Sequence, residues 1–375
     1  KKKTINLNLP LLSRELIISS DYASKLYKPF GTIIDDLEII NNNISEGRNK
    51  KIFIDKKDDG FIRAVKSVIL KKIPKEYLEY YGDYKSYYYK ISKKNKCDVI
   101  LVRSPLEIST KIRYLISLFY KLHKTKIFGF QEGGIGKFNY QKNYEKQQLI
   151  GCDNFFQWSR RKREKNTKNF FLTKTFWLKN YKVPKNKKIL IVMGSFRKHF
   201  FSIYEGHMPG YSKHQLKITN NLINSLKKNY YENIAIRFHK DFGYGEQKLV
   251  KDRFPKLNTF TRENNNFFYD LLDKYSLKVF TSDYTANMQS ILINHPSIIL
   301  IDKKNLPFNP DYKEIYELLI KEKIYFDNPN DCSKHIKNIM ENGLTDWWYS
   351  DGVQKAREKY LNLLCVKSNN LGSEI

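Results

Sequence analysis

The sequence has only four cysteines and no long hydrophobic run. The cysteines, Cys97, Cys152, Cys332 and Cys365, are far apart and form neither a CxxC pair nor a Cys/His cluster with metal-binding spacing. No run approaches the roughly 18 apolar residues that span a bilayer, and no signal-peptide hydrophobic region follows the lysine-rich start. We therefore expect a protein of the reducing cytoplasm that is soluble, or peripheral on the inner face of the inner membrane.

Several phosphate-binding and nucleic-acid-binding signatures are also missing. The sequence has no GxGxxG pattern and no GxxxxGK[ST] loop, so we expect neither a dinucleotide cofactor nor a P-loop ATPase. It has no RRM, KH, zinc-finger or helix-turn-helix signature. We therefore expect no nucleic-acid partner.

Acidic residues are scarce relative to basic ones. The chain has 39 Asp and Glu against 68 Lys and Arg, which gives a net charge of +29. Such a charge attracts nucleotide substrates, phospholipid head groups or nucleic acid, and of these surfaces an anionic membrane is the one we expect. The positive residues are scattered, however, and abundant Lys, Asn, Ile and Tyr also arise from AT-rich coding. The net positive charge therefore reflects either binding to an anionic partner or the base composition of the coding sequence.

The length and the alternation of elements predict two α/β domains. A chain of 375 residues exceeds what one hydrophobic core usually supports. Short β-branched runs alternate with longer amphipathic stretches, which is typical of parallel strands joined by crossover helices. We predict a first Rossmann-like domain over 1–180, a second over 181–345, and a C-terminal helix in 346–375 that could cross back to the first.

The predicted elements follow this alternation along the chain. Strands are expected at 16–19, 51–54, 98–102, 125–129, 188–193, 233–238, 277–280 and 297–301. Helices are expected at 61–70, 108–123, 213–229, 267–275, 286–293 and within 334–364. Because ligands bind beyond the carboxyl ends of parallel strands, the loops 131–136, 194–198, 239–244 and 281–287 are the candidate site.

The first of these loops presents a carboxylate among glycines. The run 128–137, Phe-Gly-Phe-Gln-Glu-Gly-Gly-Ile-Gly-Lys, places Glu132 on a sharp turn after an apolar strand, supported by Gln131, Gly133 and Gly134. Such a carboxylate suits a general base that deprotonates an acceptor hydroxyl. Asp58 and Asp59 are the alternative bases, although turn chemistry explains an Asp-Asp-Gly sequence equally well.

The other three loops carry groups that bind phosphate. Hydroxyls and free backbone N–H groups at the start of the helix 286–293 would hold phosphate oxygens, although plain helix capping explains them too. An imidazole and an ammonium follow one neighbouring strand, and a guanidinium follows another, three residues after a glycine. The candidate nucleotide-binding residues are Gly194, Ser195, Arg197, His239, Lys240, Ser282, Thr285 and Asn287.

These residues resemble a known group of enzymes. Gln131-Glu-Gly-Gly, the segment 151–158, the loop 281–287, His295-Pro-Ser-Ile and Asp346-Trp-Trp-Tyr-Ser resemble transferases of bacterial surface-polysaccharide loci (nonulosonic acid, O-antigen or capsule). The resemblance covers about residues 98 to 365. Those proteins are more loosely similar to CMP-sugar-using sialyltransferases and Kdo transferases with the GT-B fold, in which two Rossmann-like domains face a central cleft.

The resemblance implies a glycosyltransferase that moves a 2-keto acid sugar (sialic, legionaminic or pseudaminic acid, or Kdo) from a CMP donor to a glycan or lipid-linked glycan acceptor. It assigns Glu132 as base, and His239, Ser282 and Thr285 to the CMP phosphate. Two positions depart from the pattern: Lys240 replaces a proline, and relatives more often carry histidine at 132. A metal-independent reaction without a cofactor is expected.

Two alternatives to this function stay open. One is a GT-B glycosyltransferase that uses a UDP- or GDP-sugar, which no local residue excludes. The other is a non-catalytic basic protein that binds polysaccharide or nucleic acid, as the net charge of +29 would allow.

Overall fold

The structure is a computed structural model that describes residues 4–7, 55–72, 81–94, 98–103, 110–131, 149–158, 166–169, 182–194, 198, 210–239, 241, 243–261, 268–304 and 308–364. The chain divides into two compact units. One comprises Lys1–Phe130 with Gly151–Asn154, and the other comprises Gln131–Ile150 with Phe155–Ile375. No helix among the described residues is long and apolar enough to cross a membrane.

The first sheet has five strands in the order β1-β2-β3-β4-β5. The strands are β1 (Thr4–Leu7), β2 (Val99–Arg103), β3 (Lys126–Phe130), β4 (Asn154–Gln157) and β5 (Thr167–Asn169). The pairs β1-β2, β2-β3 and β4-β5 are parallel. The helices of this part are α1 (Gly60–Lys72), α2 (Tyr81–Lys94) and α3 (Thr110–His123). Tyr81 and Tyr88 of α2 pack edge-on against Tyr114 of α3, with ring centroids 5.6 and 6.3 Å apart.

The second sheet is parallel throughout and has six strands in the order β11-β10-β9-β6-β7-β8. The strands are β6 (Ile189–Val192), β7 (Ile234–Arg237), β8 (Asn258–Phe260), β9 (Leu277–Phe280), β10 (Ser297–Leu300) and β11 (Tyr325–Phe326). Counted from its first strand, this is the 3-2-1-4-5-6 order of a Rossmann sheet. The strand order reverses between β6 and β9, which is where such sheets bind their ligands.

Helices cover the second sheet on both faces. They are α4 (Tyr211–Tyr230), α5 (Glu246–Arg253), α6 (Thr285–Leu292), α7 (Lys313–Lys321), α8 (Pro329–Asn342), α9 (Leu344–Trp348) and α10 (Asp351–Leu364). Every residue of β6, β7, β9 and β10 is buried, as expected for parallel strands with both faces covered. The prediction of an α/β protein with parallel Rossmann-like sheets, the components of the GT-B fold, is confirmed. The predicted helix 267–275 is reduced to a short 3₁₀ turn at Phe268–Leu271.

The Trp-Trp-Tyr sequence fastens the end of α6. Asn294 follows this helix in the left-handed conformation, with φ 62°. Trp348 Nε1 donates to Asn294 O at 3.0 Å and to its Oδ1 at 2.9 Å. Arg357 of α10 donates through Nε to Ile291 O at 2.7 Å and through Nη2 to Leu292 O at 2.9 Å. These bonds satisfy carbonyl groups that a helix C-terminus leaves open.

A buried lysine lies in the middle of β9. Lys278 is fully buried, and its Nζ contacts Leu272 O at 2.9 Å, Tyr275 O at 2.6 Å and His295 Nδ1 at 2.6 Å. Burial lowers the pKa of Lys278 to about 7, because the charged form loses its hydration. The histidine of the His-Pro-Ser-Ile motif is therefore a hydrogen-bond partner of a core lysine.

We expect Lys278 to make stability depend on pH. Its pKa is lower in the folded chain, so the unfolded chain binds more protons between about pH 7 and 10.5, and the free energy of unfolding rises with pH in that window. From pH 7 to 9 the rise is about 2 kcal/mol. Urea unfolding at both pH values should show this component in the wild type and its loss in Lys278→Met. The exposed Lys274→Met is the control, and an equal loss in that variant would contradict the assignment.

Candidate active site

Three parallel strands of the second sheet end together at its carboxyl edge. Met193 N donates to Arg237 O at 2.9 Å, and Thr281 N donates to Val192 O at 3.0 Å. The residues directly after β6, β7 and β9 therefore share one edge, beside the reversal of strand order. Three of the four loops predicted from the sequence begin here.

Gly194 and Ser282 are in direct contact at this edge. A Cβ atom placed on Gly194 would lie 2.7 Å from both Cβ and Oγ of Ser282, and 3.6 Å from Nε2 of Gln215. Real Cβ atoms do not approach other atoms so closely, so only glycine fits here while Ser282 stays in place. The structure thus brings together two residues, 88 positions apart in the sequence, that were predicted to bind the nucleotide.

Gln215 of α4 supports the same loop and was missed by the sequence analysis. Its Nε2 donates to Thr281 O at 3.1 Å and to Thr281 Oγ1 at 3.3 Å, and its side chain is buried. Tyr211 OH also donates to Thr281 O, at 3.5 Å. The Oε1 atom of Gln215 has no hydrogen-bond partner in the part of the chain that the structure describes. A glutamine on an amphipathic helix carries no sequence signal that would distinguish it from a surface residue.

Asp283, the next residue along, is the centre of a buried polar cluster. Tyr316 of α7 donates its hydroxyl to Asp283 Oδ2, and Tyr360 of α10 donates to Oδ1 at 3.3 Å. Asn287 Nδ2 donates to the same Oδ1 at 2.6 Å and lies 3.1 Å from Tyr360 OH. Burial raises the pKa of Tyr316, and the Asp283 carboxylate adds to the rise, so this tyrosine remains a proton donor. The cluster fixes the backbone of the 281–287 loop from two helices.

The hydroxyl residues of this loop lie at the start of α6. Ser282 is buried and Thr285, the first residue of α6, is half-buried. The N-cap position belongs to Tyr284, which makes no side-chain capping bond. Asn287 is fully buried, and the cluster uses its amide nitrogen. Its Oδ1 has no hydrogen-bond partner among the described residues.

The loop after β7 places a histidine and a buried carboxylate at the same edge. His239 is half-buried two residues after β7. Asp241 Oδ1 accepts hydrogen bonds from Gly243 N at 2.8 Å and Gly245 N at 3.3 Å, which holds the turn that leads into α5. Glu246, at the start of α5, is buried, and burial raises its pKa, with the nearby Asp241 charge adding to the rise. The sequence analysis did not identify Glu246.

Among the remaining predicted site residues, the structure describes Gln131. Gln131 accepts a hydrogen bond from Trp158 N through Oε1 at 2.9 Å and donates its own N to Phe156 O at 2.9 Å, so it anchors β4 beside the end of β3. Six predicted residues lie outside the described residues: Glu132, Gly133, Gly134, Ser195, Arg197 and Lys240. Their roles stay predictions.

The alternative carboxylates, Asp58 and Asp59, stabilise the start of α1. Asp58 Oδ2 contacts Lys66 Nζ at 2.8 Å, and this hydrogen bond lowers the pKa of Asp58. Asp59 Oδ1 accepts a hydrogen bond from Ile62 N at 2.8 Å, as an N-terminal cap does. A carboxylate with a lowered pKa is a weaker base, so this geometry favours structural roles for the pair. Among the described residues no group of three His, Cys, Asp or Glu side chains could hold a metal ion.

The contact between Gly194 and Ser282 can be tested by a double-mutant cycle. We expect Gly194→Ala to lower the free energy of unfolding by about 1–3 kcal/mol, because the new methyl group overlaps Ser282. Adding Ser282→Gly should recover most of this loss, since it removes both overlapping atoms. Urea unfolding measures the cycle, with Gly82→Ala as control because a methyl group there meets nothing within 4 Å. Additive effects of the two substitutions would contradict the contact.

Comparison with known proteins identifies the family but not the substrate. The solved structures of similar shape include UDP-GlcNAc 2-epimerase from Neisseria meningitidis bound to UDP-GlcNAc (TM-score 0.47, 11% identity, covering 96% of this chain and 90% of that one). A second is the S. aureus MnaA-UDP co-structure (TM-score 0.45, 14% identity, 78% and 84% coverage). A third is TarM (TM-score 0.42, 15% identity, 74% and 55% coverage). These likenesses are too weak to carry an argument about activity.

No curated protein matches the sequence significantly. A family model does match it, however, over residues 3–374, which is nearly the whole chain. This chain therefore belongs to the LIC12162 family of transferases.

Proposed function

We propose that this transferase is a glycosyltransferase that takes a sugar from a nucleotide-sugar donor and gives it to a glycan or lipid-linked glycan. The observation that carries the proposal is the contact of Gly194 with Ser282 at the reversal of strand order. A residue without a side chain lies there against a hydroxyl loop that opens a helix. The hydroxyls of that loop and the free N–H groups at the start of the helix suit a phosphate group.

In this proposal the second sheet holds the donor. Ser282 and Thr285 would bind phosphate oxygens through their hydroxyls, together with the first backbone N–H groups of α6, whose positive dipole end favours an anion. His239, with Ser195, Arg197 and Lys240 of the adjoining loops, would add donors to the departing nucleotide. Stabilising the phosphate in this way needs no metal ion and no further cofactor, so we propose a metal-independent reaction.

Asp283 is proposed to keep this loop in place rather than to touch the donor. Its carboxylate already accepts from Tyr316, Tyr360 and Asn287, and its side chain is 1% exposed. A fixed loop loses less entropy when the phosphate binds, which strengthens binding without a further contact.

Glu132 is proposed as the base that deprotonates the acceptor hydroxyl. It stands two residues after β3, with Gln131 between them fixed to Trp158 N and Phe156 O. The residue directly before the base is therefore anchored by its backbone and by its side chain. We propose a GT-B arrangement for the whole chain, with the acceptor held by the domain 1–180 and the donor by 181–345.

We propose a UDP-sugar as the first donor to test and a CMP-linked 2-keto acid sugar as the second. Lys240 stands where CMP-sugar transferases carry a proline, and an additional ammonium suits a leaving group with two phosphates better than one with a single phosphate. The histidine after β7 and the hydroxyl loop after β9 favour the CMP donor, because that group of enzymes pairs these two elements.

Nucleotide binding is the direct test of the donor site. We expect calorimetry to show that UDP binds the wild-type protein at micromolar to millimolar concentration, and that Ser282→Ala weakens binding about tenfold, the effect of losing one hydrogen bond to a charged group. Ser117→Ala is the matched control, since Ser117 is exposed on α3 and its hydroxyl bonds Arg113 O of the same helix at 2.8 Å. Tighter binding of CMP would select the second donor. If short oligonucleotides bind and no single nucleotide does, the result would contradict the enzyme and favour a non-catalytic basic binding protein.

The role of Glu132 is tested separately from donor binding. We expect Glu132→Gln to bind the nucleotide as the wild type does and to lower kcat by about 100-fold or more, since a general base contributes that much. Asp58→Asn should leave kcat unchanged, because Asp58 pairs with Lys66. Transfer would be followed with a labelled donor sugar and a panel of glycan acceptors. Wild-type turnover in Glu132→Gln would assign the base to another residue.

A further inference from the structure

We propose that the second sheet has an additional binding site, at its amino edge, for a small phosphorylated molecule with a ring or a short apolar body. The site is a cavity of about 700 Å³ between the segment 182–187, the end of α6, the α8–α9 junction and Tyr349. This volume lies within the range of about 300–1,000 Å³ that is usual for small-molecule sites. We call it the amino-edge cavity.

The amino-edge cavity is distinct from the candidate active site. The segment 182–187 precedes β6, and Ile293 and Asn294 precede β10, so both lie where strands begin. Gly194 and Ser282 lie where strands end. Helix α6 connects the two edges: its first residue is Thr285, and the residues that follow its last turn line the cavity. Eight helical residues correspond to a separation of about 12 Å.

The charge of the cavity favours an anion. Lys182, Lys185 and Lys187 are exposed along its rim, and none of them forms an ion pair with a carboxylate among the described residues. No Asp or Glu is among the described residues that line the cavity. Ammonium groups bind phosphate as point charges without requiring one fixed geometry, which suits lysines on a rim.

The remaining walls favour a ligand that has an apolar part as well as a negative charge. Met340 is buried, and Ile293 and Leu344 are half-buried beside it, which gives an apolar floor. Tyr349 is 47% exposed and adds an aromatic ring to the lining. An inorganic phosphate would leave this floor uncovered, whereas a phosphate ester on a ring would contact the floor and the lysines together.

The walls are held in position before any ligand arrives. Asn186 Nδ2 donates to Lys274 O at 3.1 Å, and Asn186 Oδ1 accepts from Lys188 N at 3.0 Å, which fixes the lysine-rich segment. Asn294, which also lines the cavity, exchanges hydrogen bonds with Gln354 at 3.2 Å and accepts from Trp348. Preformed walls reduce the entropy lost on binding.

The test uses phenyl phosphate as the probe and titration calorimetry as the measurement. We expect the wild-type protein to bind phenyl phosphate at least tenfold more tightly than inorganic phosphate. Lys185→Glu/Lys187→Glu should weaken phenyl phosphate binding at least tenfold. The matched control is Lys251→Glu/Lys256→Glu, which reverses the charge at two exposed positions near the far edge of the same sheet. It should leave the affinity for phenyl phosphate unchanged.

Two further measurements locate the probe. Ser282→Ala should bind phenyl phosphate like the wild type, since the proposed site does not involve the carboxyl edge. Saturating probe should slow hydrogen exchange of the amides at the end of α6, which line the cavity. The proposal is overturned if the wild type does not bind at millimolar concentration, if both double variants lose affinity equally, or if Ser282→Ala abolishes binding. It is also overturned if only anionic phospholipid vesicles bind and the soluble ester does not.

Discussion

The close approach of Gly194 to Ser282 is the constraint around which the carboxyl edge of the second sheet is organised. Because β6 and β9 are neighbours and parallel, their following loops must leave the sheet side by side. A side chain at 194 would push these loops apart, and glycine lets them touch. Gln215, on α4, donates a hydrogen bond to the backbone carbonyl of Thr281. Asp283 accepts hydrogen bonds from a tyrosine of α7 and a tyrosine of α10. A loop with so many attachments is a rigid place for phosphate oxygens.

Three of the sequence segments that suggested a transferase have structural roles in the described part of the chain. The Trp-Trp-Tyr sequence holds Asn294 at the end of α6, while His295 Nδ1 lies within hydrogen-bond distance of the buried lysine in β9. In the segment 151–158, Asp153 Oδ2 accepts from Ile127 N at 2.8 Å and its Oδ1 contacts Lys126 Nζ at 3.1 Å. These residues hold the helix end and the strands that position the proposed site.

The strands of the second sheet could be predicted because they are apolar and short. The predicted strand 277–280 is the observed β9, and 297–301 differs from β10 by one residue. The edge strands β8 and β11 were not predicted, since Asn258–Phe260 and Tyr325–Phe326 are too short to show a period. The helix predicted at 267–275 fails because only one 3₁₀ turn forms before Ser276 joins the Lys188 backbone at 3.1 Å.

Residues of the candidate site could be predicted from the sequence only where they closely follow a predicted strand. Gly194, His239 and Ser282 follow strands, and the structure places all three at the carboxyl edge. Gln215, Tyr316 and Tyr360 lie in the interiors of amphipathic helices, where nothing in the local sequence separates a loop-binding side chain from a core residue. Their contacts depend on which helix packs against which loop, and a single sequence does not contain that information.

The bond from Tyr360 to Asp283 joins residues 77 positions apart, and it links the last described helix to the loop beside the reversal of strand order. Contacts across such long separations close a large loop of chain, which costs more conformational entropy than a local contact does. During synthesis, the eleven strands that the structure describes leave the ribosome before Tyr360 does. The bond that holds the 281–287 loop from α10 can therefore form only after every described strand has been synthesised.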